Sequence, residues 1–253
     1  APQLPGLHEP FGIMVTGVGG TGVVTIGQVL AMAAHLDNKG VTVLDMAGLA
    51  QKGGSVWSHV RIADSQEKLH AVRIAAGDAN LVLGCDLVVT AAEEALAKMR
   101  EGFSHVVVNN YESPTSAFLK NPDVRFPAKA MKDAIVESVG SQHFAEVNAT
   151  RIATALMGDA IAANMFMLGY AWQQGQVPVS LEAIMKAIEL NGAAVQFNQD
   201  AFQWGRHAAH DPARIETLVS PSAVVQFVPR ETVEGVMHPR SKELVAYQDD
   251  KLA

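Results

Sequence analysis

A glycine-rich turn close to the start of the chain constrains the fold more than any other feature. The turn, GVGGTG at residues 17–22, follows a short apolar run at 12–17 and precedes apolar residues at helical spacing over 21–35. The run predicts a buried strand, the spacing predicts a helix, and residues 41–45 predict the next strand. Strand, tight turn, helix and strand form a βαβ unit with a right-handed crossover, which indicates an α/β fold.

The turn matches the G-x-G-x-x-G pattern, in which each glycine has a physical reason. One makes the tight turn, one lets the backbone approach a pyrophosphate, and one lets the helix pack on the strand. The helix N-terminus presents N–H groups and a positive dipole end to an anion. The turn is not a Walker A loop, because Val23 and Val24 stand where Lys and Ser/Thr belong. A loop that contacts an anion or nucleotide and a purely structural turn both remain open.

A second glycine loop follows the second predicted strand. Lys52-Gly53-Gly54 leads into an extended run that carries His59 and Arg61. The strands of one parallel βαβ unit end on the same edge of the sheet, so the two loops predict one cleft for a phosphorylated ligand. As alternatives, Lys52 is a solvated loop residue, and His59 and Arg61 pair with acids on a strand face.

Asp45 supports a different function. It ends the second strand 23 residues after Gly22, where a dinucleotide-binding fold places its ribose-binding acid. A Rossmann-type NAD(P) or FAD oxidoreductase is therefore an alternative, and a turn-capping role for Asp45 is another. The chain then continues into the second glycine loop and extended runs at 55–63 and 70–75, which predict an antiparallel hairpin rather than a third βα step.

The rest of the chain predicts a sheet followed by helices. Strands are expected at 87–90, 105–109 and 144–147, a helix at 91–100, a long loop at 110–127 and helices from 149 to about 210, including one buried core helix over 152–172. The expected architecture is a three-layer, Rossmann-like mixed sheet with an antiparallel hairpin and a helical C-terminal half. Residues 1–10 are expected to be a linker, 11–219 the α/β domain and 220–253 a C-terminal arm or linker.

Charge and cysteine content exclude several functions. Lys and Arg number 19 against 26 Asp and Glu, a net charge of −7, which argues against a general nucleic-acid binder. Only 18% of residues are charged, against about 25% in typical soluble chains, so part of the surface is expected to be covered by another subunit or domain. The single cysteine, Cys85, excludes a cysteine-ligated iron–sulfur cluster within this chain and is expected to be a small buried residue. We expect a cytoplasmic location, with no membrane span.

One motif match is disfavoured. Gly77-Asp78-Ala79 lies 30 positions before Asn109-Asn110, which resembles the G-D-x…N-N signature of thiamine diphosphate domains. Asn109 ends a predicted strand, however, rather than lying in a loop after a cofactor helix.

Three segments occur in an order that is typical of a known family. They are GVGGTGV at 17–23, KGGS at 52–55 followed by HVRI at 59–62, and NGAAVQFNQDAFQWGR at 191–206. Together they resemble the gamma domain of 2-oxoacid:ferredoxin oxidoreductases, and most of all that of the large fused indolepyruvate ferredoxin oxidoreductases. Many gamma domains carry Arg at the position of Lys52, so this chain departs from the family pattern at that residue.

The resemblance implies a reaction and a division of labour. The whole enzyme would oxidatively decarboxylate a 2-oxoacid, here an aryl pyruvate such as indolepyruvate, with coenzyme A to an acyl-CoA, and reduce ferredoxin. Thiamine diphosphate, Mg²⁺ and iron–sulfur clusters would lie on other domains or subunits, which are the implied partners and the route to ferredoxin. The gamma domain would serve coenzyme A binding and assembly, and would be inactive alone. A non-catalytic structural subunit is a further alternative. The candidate cofactor-binding residues are Gly17, Gly19, Gly20, Thr21, Gly22, Lys52, Gly53, Gly54 and Asn109; no catalytic residue or metal ligand is assigned.

Overall fold

A computed structural model describes residues 2–47, 54–113 and 126–220. Within these ranges the strands are β1 (Phe11–Val18), β2 (Gly40–Ala47), β3 (Ser55–Ala63), β4 (Leu81–Gly84), β5 (His105–Asn109) and β6 (Phe144–Val147). The α-helices are α1 (Val23–Leu36), α2 (Leu87–Thr90), α3 (Glu93–Leu96), α4 (Ala128–Val139), α5 (Ala149–Met157), α6 (Ala163–Gln173), α7 (Leu181–Asn191), α8 (Val195–His210) and α9 (Pro212–Val219). Short 3₁₀ turns occur at Gln66–Lys68, Ser141–His143 and Ala160–Ala162.

The strands form one mixed sheet in the order β2-β3-β1-β4-β5-β6. Strands β1, β4, β5 and β6 are parallel neighbours, whereas β3 is antiparallel to both β1 and β2. The first βαβ unit is therefore present, but its two strands are not adjacent, because β3 lies between them. The predicted α/β class with a mixed sheet and an antiparallel hairpin is confirmed.

The sheet has a hydrophobic core on each face, which gives the predicted three layers. The inner six residues of β1 are all buried, since alternate side chains point to opposite faces. Ile13 and Val15 belong to a cluster with α1 and the C-terminal helices, while Met14 belongs to a cluster with α2 and α4. The larger cluster includes Phe166, Trp172 and Phe202.

Two glycines let the central helices of the C-terminal half cross at close range. A Cβ atom on Gly169 of α6 would lie 2.0 Å from the carbonyl oxygen of Phe202, and one on Gly205 of α8 would lie 1.9 Å from that of Phe166. Any larger residue at either position would force the two helices apart. Close packing of the backbones is therefore the physical reason for both glycines.

Two sequence predictions about strands are wrong. The hairpin is formed by β2 and β3, and residues 70–75 contain no strand, because β3 already has a partner on each side. Residues 87–90 form helix α2 instead of a strand: the Asp86 carboxylate caps it by accepting from Val89 N at 2.9 Å. The strand is the preceding apolar run, β4, and a short buried apolar run does not by itself distinguish strand from helix.

The helical predictions need two corrections. The single core helix expected over 152–172 is divided into α5 and α6, because Gly158 adopts φ +78° and Asp159 caps the following turn through Ile161 N. The helix expected over 91–100 is limited to α3. Within the described ranges, no helix has both the length and the apolar character needed to cross a lipid bilayer.

Parts of the predicted organisation lie beyond the described ranges. Residues 2–10 have no regular secondary structure, and Leu4 and Leu7 pack against the larger core cluster. Most of the loop predicted over 110–127 and nearly all of the arm predicted over 220–253 fall outside the described residues. The proposed domain boundaries stay a prediction.

Candidate functional site

A cavity of about 390 Å³ opens at the edge of the sheet where the parallel strands β1, β4 and β5 end. Ligands of open α/β sheets bind at this edge, because the loops after the strands converge there. Three predicted site residues line the cavity, together with five further residues that carry polar side-chain groups. The first three are Gly20, Thr21 and Asn109; the others are Asp86, Tyr111, Ser113, Thr150 and Asn164.

The first glycine loop forms the rim of this cavity and leads directly into α1. Gly20 has φ +87° and Gly22 has φ +96°, conformations that L side chains rarely adopt. Thr21 closes the turn, because its N–H and its Oγ1 both donate to Val18 O, at 3.3 and 2.8 Å. Gly22 is the N-cap residue of α1 and provides no side-chain cap, so the first-turn N–H groups of α1 keep their capacity to bind an anion.

The other glycines of the first loop have different roles. A Cβ atom on Gly17 would lie 2.6 Å from Val23 Cγ2, so this glycine allows α1 to pack on β1 and does not face the cavity. The Gly19 N–H donates to Gly54 O at 2.8 Å. The two predicted loops therefore lie side by side, but the Gly19 N–H is used in this bond and is not free to bind an anion. Lys52 and Gly53 lie outside the described residues.

Asn109 forms part of the cavity wall and links three segments of the fold. Its side-chain nitrogen donates to Cys85 O at 3.2 Å and to Thr150 Oγ1 at 2.8 Å, and its side-chain oxygen accepts from Tyr111 N at 3.3 Å. The residue is 4% exposed. Its polar atoms are thus engaged by the protein, which makes it an organiser of the cavity; direct contact with a cofactor stays a prediction.

Cys85 and Asp86 determine the electrostatics of the cavity. Burial raises the pKa of the Cys85 thiol to about 12, and the neighbouring Asp86 adds to the effect. Such a thiol is not a nucleophile at neutral pH, in line with the predicted role as a small buried residue. Burial also raises the pKa of Asp86 above its ordinary value. None of the described residues that line the cavity is Lys, Arg or His. Within this lining, an anion would therefore be attracted by backbone N–H groups and not by a cationic side chain.

Asn164 is a site residue that the sequence reasoning did not select. It is 7% exposed, and its Nδ2 donates to Thr21 O at 2.7 Å and lies 3.1 Å from Thr21 Oγ1. Together with Ile161, these two residues also line an adjoining cavity of about 210 Å³. The available signal was a lone amide in an otherwise apolar helical segment, because such a group is buried only where it finds a hydrogen-bond partner.

His59 and Arg61 do not line the cavity, and of the two only Arg61 is paired with an acid, as the simpler alternative predicted. His59 is 1% exposed and accepts from Ile74 N at 3.4 Å. Burial, together with the positive charges of Lys98 and Arg73, lowers its pKa to about 4, so it is neutral near pH 7. Arg61 lies 3.8 Å from the carboxylate of Asp78, and neither His59 nor Arg61 lines the cavity.

Two alternative cofactor sites do not fit the topology. Asp78 precedes β4 whereas Asn109 ends the parallel neighbour β5, so the thiamine-type pair lies at opposite edges of the sheet. Asp45 is on β2, and β3 separates β2 from β1. Asp45 is therefore two strand spacings, about 10 Å, from the strand that carries the glycine turn, instead of beside it as in a dinucleotide-binding fold.

The third family-like segment packs the helical half. Phe202 and Gly205 lie in the α6–α8 crossing, and the Trp172 and Phe202 rings are 6.2 Å apart. The Arg206 guanidinium lies 4.9 Å from the Trp172 ring centroid and donates through Nε to Gln173 Oε1 at 3.1 Å. These residues of the segment serve helix packing, whereas Ala193, Ala194, Phe197 and Asn198 near its start line the adjoining cavity.

The mixed sheet, with a glycine turn at the N-terminus of α1 and a cavity at the strand ends, defines a Rossmann-like α/β domain with a candidate ligand site. Residues 12–208 match the model of the pyruvate ferredoxin/flavodoxin oxidoreductase family, and the chain belongs to that family. It is 30% identical over 201 residues to the indolepyruvate oxidoreductase subunit IorB of Methanothermobacter thermautotrophicus, which covers 79% of this chain and 97% of that subunit. Identity to IorB of Pyrococcus horikoshii is 27% over 205 residues, or 80% of this chain and 98% of that one.

Solved structures share the fold. The gamma subunit of a keto/oxoacid ferredoxin oxidoreductase from Geobacter sulfurreducens has a TM-score of 0.55 at 23% identity, covering 79% of this chain and 98% of that one. The 2-oxoglutarate:ferredoxin oxidoreductase of Magnetococcus marinus, with 2-oxoglutarate, coenzyme A and succinyl-CoA bound, has a TM-score of 0.60 at 18% identity. That match covers 80% of this chain and 31% of the longer one. The resemblance to gamma domains is confirmed.

Proposed function

We propose that this chain is the gamma-type part of an indolepyruvate:ferredoxin oxidoreductase. Such an enzyme converts an aryl pyruvate and coenzyme A into an acyl-CoA, releases CO₂ and passes two electrons to ferredoxin. The similarity to IorB subunits of four archaea supports this substrate class. Thiamine diphosphate, Mg²⁺ and the iron–sulfur clusters belong to the partner subunits or domains in this proposal, because one cysteine cannot hold a cluster and the two halves of the thiamine-type signature lie at opposite ends of parallel strands.

The contribution of this chain is the coenzyme A side of the reaction. The observation that carries this part is the open rim of the cavity: a Cβ atom on Gly20 would meet nothing within 4 Å. A phosphate has room to approach there, and the N-terminus of α1 supplies N–H donors and a favourable dipole. When bound, coenzyme A would supply the thiol that accepts the acyl group. The amides of its pantetheine arm suit a cavity with hydroxyl and amide walls, such as Thr150 and Asn164.

The residues proposed to bind coenzyme A are supported by different observations. Gly20 and Gly22 can present backbone N–H groups to a phosphate, whereas the Thr21 N–H is used in its bond to Val18 O, and Gly54 lies beside this loop. Lys52 lies outside the described residues, and the sequence alone makes it the candidate source of positive charge. Gly17 and Gly19 act indirectly, through packing and through the bond to the second loop.

The test uses the assembled oxidoreductase and measures the KM for coenzyme A separately from that for the 2-oxoacid. Gly20→Ala is compared with Gly102→Ala, because both glycines have positive φ, +87° and +69°, and both have open space around the Cβ position. Both substitutions therefore carry backbone strain, of about 1–2 kcal/mol in the left-handed region, but only Gly20 lies at the cavity. We expect a higher KM for coenzyme A in Gly20→Ala alone.

A second pair of variants tests charge. Lys52→Ala should weaken coenzyme A binding by about 1–2 kcal/mol, the scale of a charge-assisted contact. Lys186→Ala is the control, because Lys186 is exposed on α7 and pairs with Glu189 at 3.0 Å. Unchanged coenzyme A constants in both Gly20→Ala and Lys52→Ala would contradict the proposal. Calorimetry of the chain with NAD, FAD and coenzyme A separately tests the dinucleotide alternative.

A further inference from the structure

Asn164 occupies an unusual position for an amide. It is the second residue of α6, a helix whose other buried residues are almost entirely apolar. A buried amide without a partner is unfavourable by about 1–3 kcal/mol, so its position depends on its hydrogen bonds. Its Nδ2 donates to Thr21 O at 2.7 Å, across 143 residues of sequence. The nitrogen must face this atom, because a carbonyl oxygen only accepts.

This bond determines the orientation of one peptide group in the glycine turn. The peptide that joins Thr21 to Gly22 is planar and trans, so its C=O and N–H groups point in opposite directions. With Thr21 O directed at Asn164, the Gly22 N–H is directed away from α6. Among the described residues, no hydrogen-bond acceptor is paired with this N–H, and Gly22 caps α1 without a side chain.

The neighbouring peptides of the turn have their own hydrogen bonds: the Thr21 N–H donates to Val18 O at 3.3 Å, and the Ile26 N–H donates to Gly22 O at 3.2 Å. Gly22 has φ +96°, and a Cβ atom there would meet only Asn164 Nδ2, at 4.0 Å. Glycine has no side chain to restrict its backbone, so the bond from Asn164 to Thr21 O adds a direct restraint on the peptide between them. The Thr21 hydroxyl continues the connection, since it lies 3.1 Å from Asn164 Nδ2 and donates to Val18 O. Asn164 and Thr21 therefore connect α6 to the end of β1.

We propose that Asn164 is a positioning residue for coenzyme A. Its amide holds the Thr21–Gly22 peptide so that the Gly22 N–H stays free for an oxyanion of the ligand where the glycine turn meets the adjoining 210 Å³ cavity, which Thr21, Gly22 and Asn164 line. This inference rests on the proposed function, and it assigns to the helical half a part in ligand binding. Asn164 does not itself touch the reacting atoms; it acts through Thr21.

The test again uses the assembled oxidoreductase. Asn164→Asp keeps the shape of the side chain but replaces the donor by an acceptor that faces Thr21 O. Asn164→Ala removes the amide without adding charge. Loss of one well-aligned hydrogen bond should raise the KM for coenzyme A about tenfold in either variant, with kcat and the KM for the 2-oxoacid unchanged. Asn80→Asp is the control for an added charge, because Asn80 lies before β4, at the opposite edge of the sheet, and uses its Oδ1 as an acceptor.

Each outcome decides between the hypotheses. If Gly20→Ala raises the KM for coenzyme A but both Asn164 variants leave it unchanged, the inference about Asn164 is overturned and the proposed function stands. If all three and Lys52→Ala leave it unchanged, both fail; if only Lys52→Ala raises it, the inference about Asn164 alone is overturned. If kcat and both KM values change together with the yield of assembled enzyme, Asn164 is a purely structural residue and the inference is overturned. Should Asn164→Asp fail to fold, Asn164→Ala decides alone.

Discussion

The α6–α8 crossing makes a strong prediction about a single methyl group. In the interior of an exposed helix, replacing glycine by alanine normally stabilises the helix by about 1 kcal/mol. Gly205→Ala should do the opposite, because its Cβ atom would lie 1.9 Å from Phe166 O and 2.9 Å from Tyr170 N. Both of these are backbone atoms of α6, which cannot move aside as a flexible side chain can.

The size of the destabilisation follows from how far α6 and α8 must separate to make room for the Cβ atom. Real Cβ atoms essentially never lie closer than 3.0 Å to such a neighbour, so the two helices have to separate by roughly 1 Å. Overpacking of this kind costs about 1–3 kcal/mol. Separation also weakens the contacts of Trp172 and Phe202, which are 2% and 0% exposed. We therefore expect a loss of about 3 kcal/mol in the free energy of unfolding.

Urea unfolding monitored by tryptophan fluorescence and by circular dichroism measures this loss. Gly192→Ala serves as the control: Gly192 caps α7 at φ +73° and has no atom near its Cβ position, so the substitution adds strain without overpacking. The control should lose only about 1–2 kcal/mol. A Gly205→Ala chain that is as stable as the control, or more stable than the original, would refute the close crossing.

Two other predictions concern protonation and activity. As pH falls from 8 to 5, His59 becomes protonated in the unfolded chain near its ordinary pKa of 6.5, whereas in the folded chain its pKa is about 4. The free energy of unfolding of the original chain should therefore fall by about 2 kcal/mol more than that of His59→Asn over this range. Urea midpoints at both pH values measure the difference. Equal pH dependence of the two chains would contradict the buried neutral imidazole. The purified chain, supplied with thiamine diphosphate, 2-oxoacid and coenzyme A, should reduce neither ferredoxin nor a dye, because it has one cysteine and no paired thiamine signature; measurable reduction would refute this.

The first third of the fold shows what local sequence can and cannot predict. The apolar run before the glycine turn and the spacing after it correctly gave β1 and α1, because both patterns are local. The position of β3 was not predictable in the same way. Its alternation indicates a strand, but its insertion between β1 and β2 depends on pairing with residues 37 to 51 positions away in β1. The hairpin was therefore assigned to the wrong partner.

In the candidate site, too, local features were predictable from the sequence and long-range contacts were not. Glycines with positive φ, such as Gly20 and Gly22, were visible in the motif because their conformation is a property of the residue itself. The bond from Gly19 to Gly54 and the bond from Asn164 to Thr21 are long-range contacts, and no spacing rule identifies them. Asn109 was selected from the sequence and lines the cavity, but its role as a link between β4 and α5 depends on which hydrogen bonds it makes.

The helix α6 connects the family-like segment at 191–206 to the cavity. Gly205 fixes how closely α8 approaches α6 at Phe166, and Asn164 lies two residues before Phe166 on the same helix. A displacement of α6 by roughly 1 Å would lengthen the 2.7 Å bond from Asn164 to Thr21 beyond hydrogen-bonding distance. Packing that is far from any ligand contact would then control the glycine turn. If this connection holds, Gly205→Ala in the assembled enzyme should raise the KM for coenzyme A as the Asn164 variants do, whereas Gly192→Ala should not.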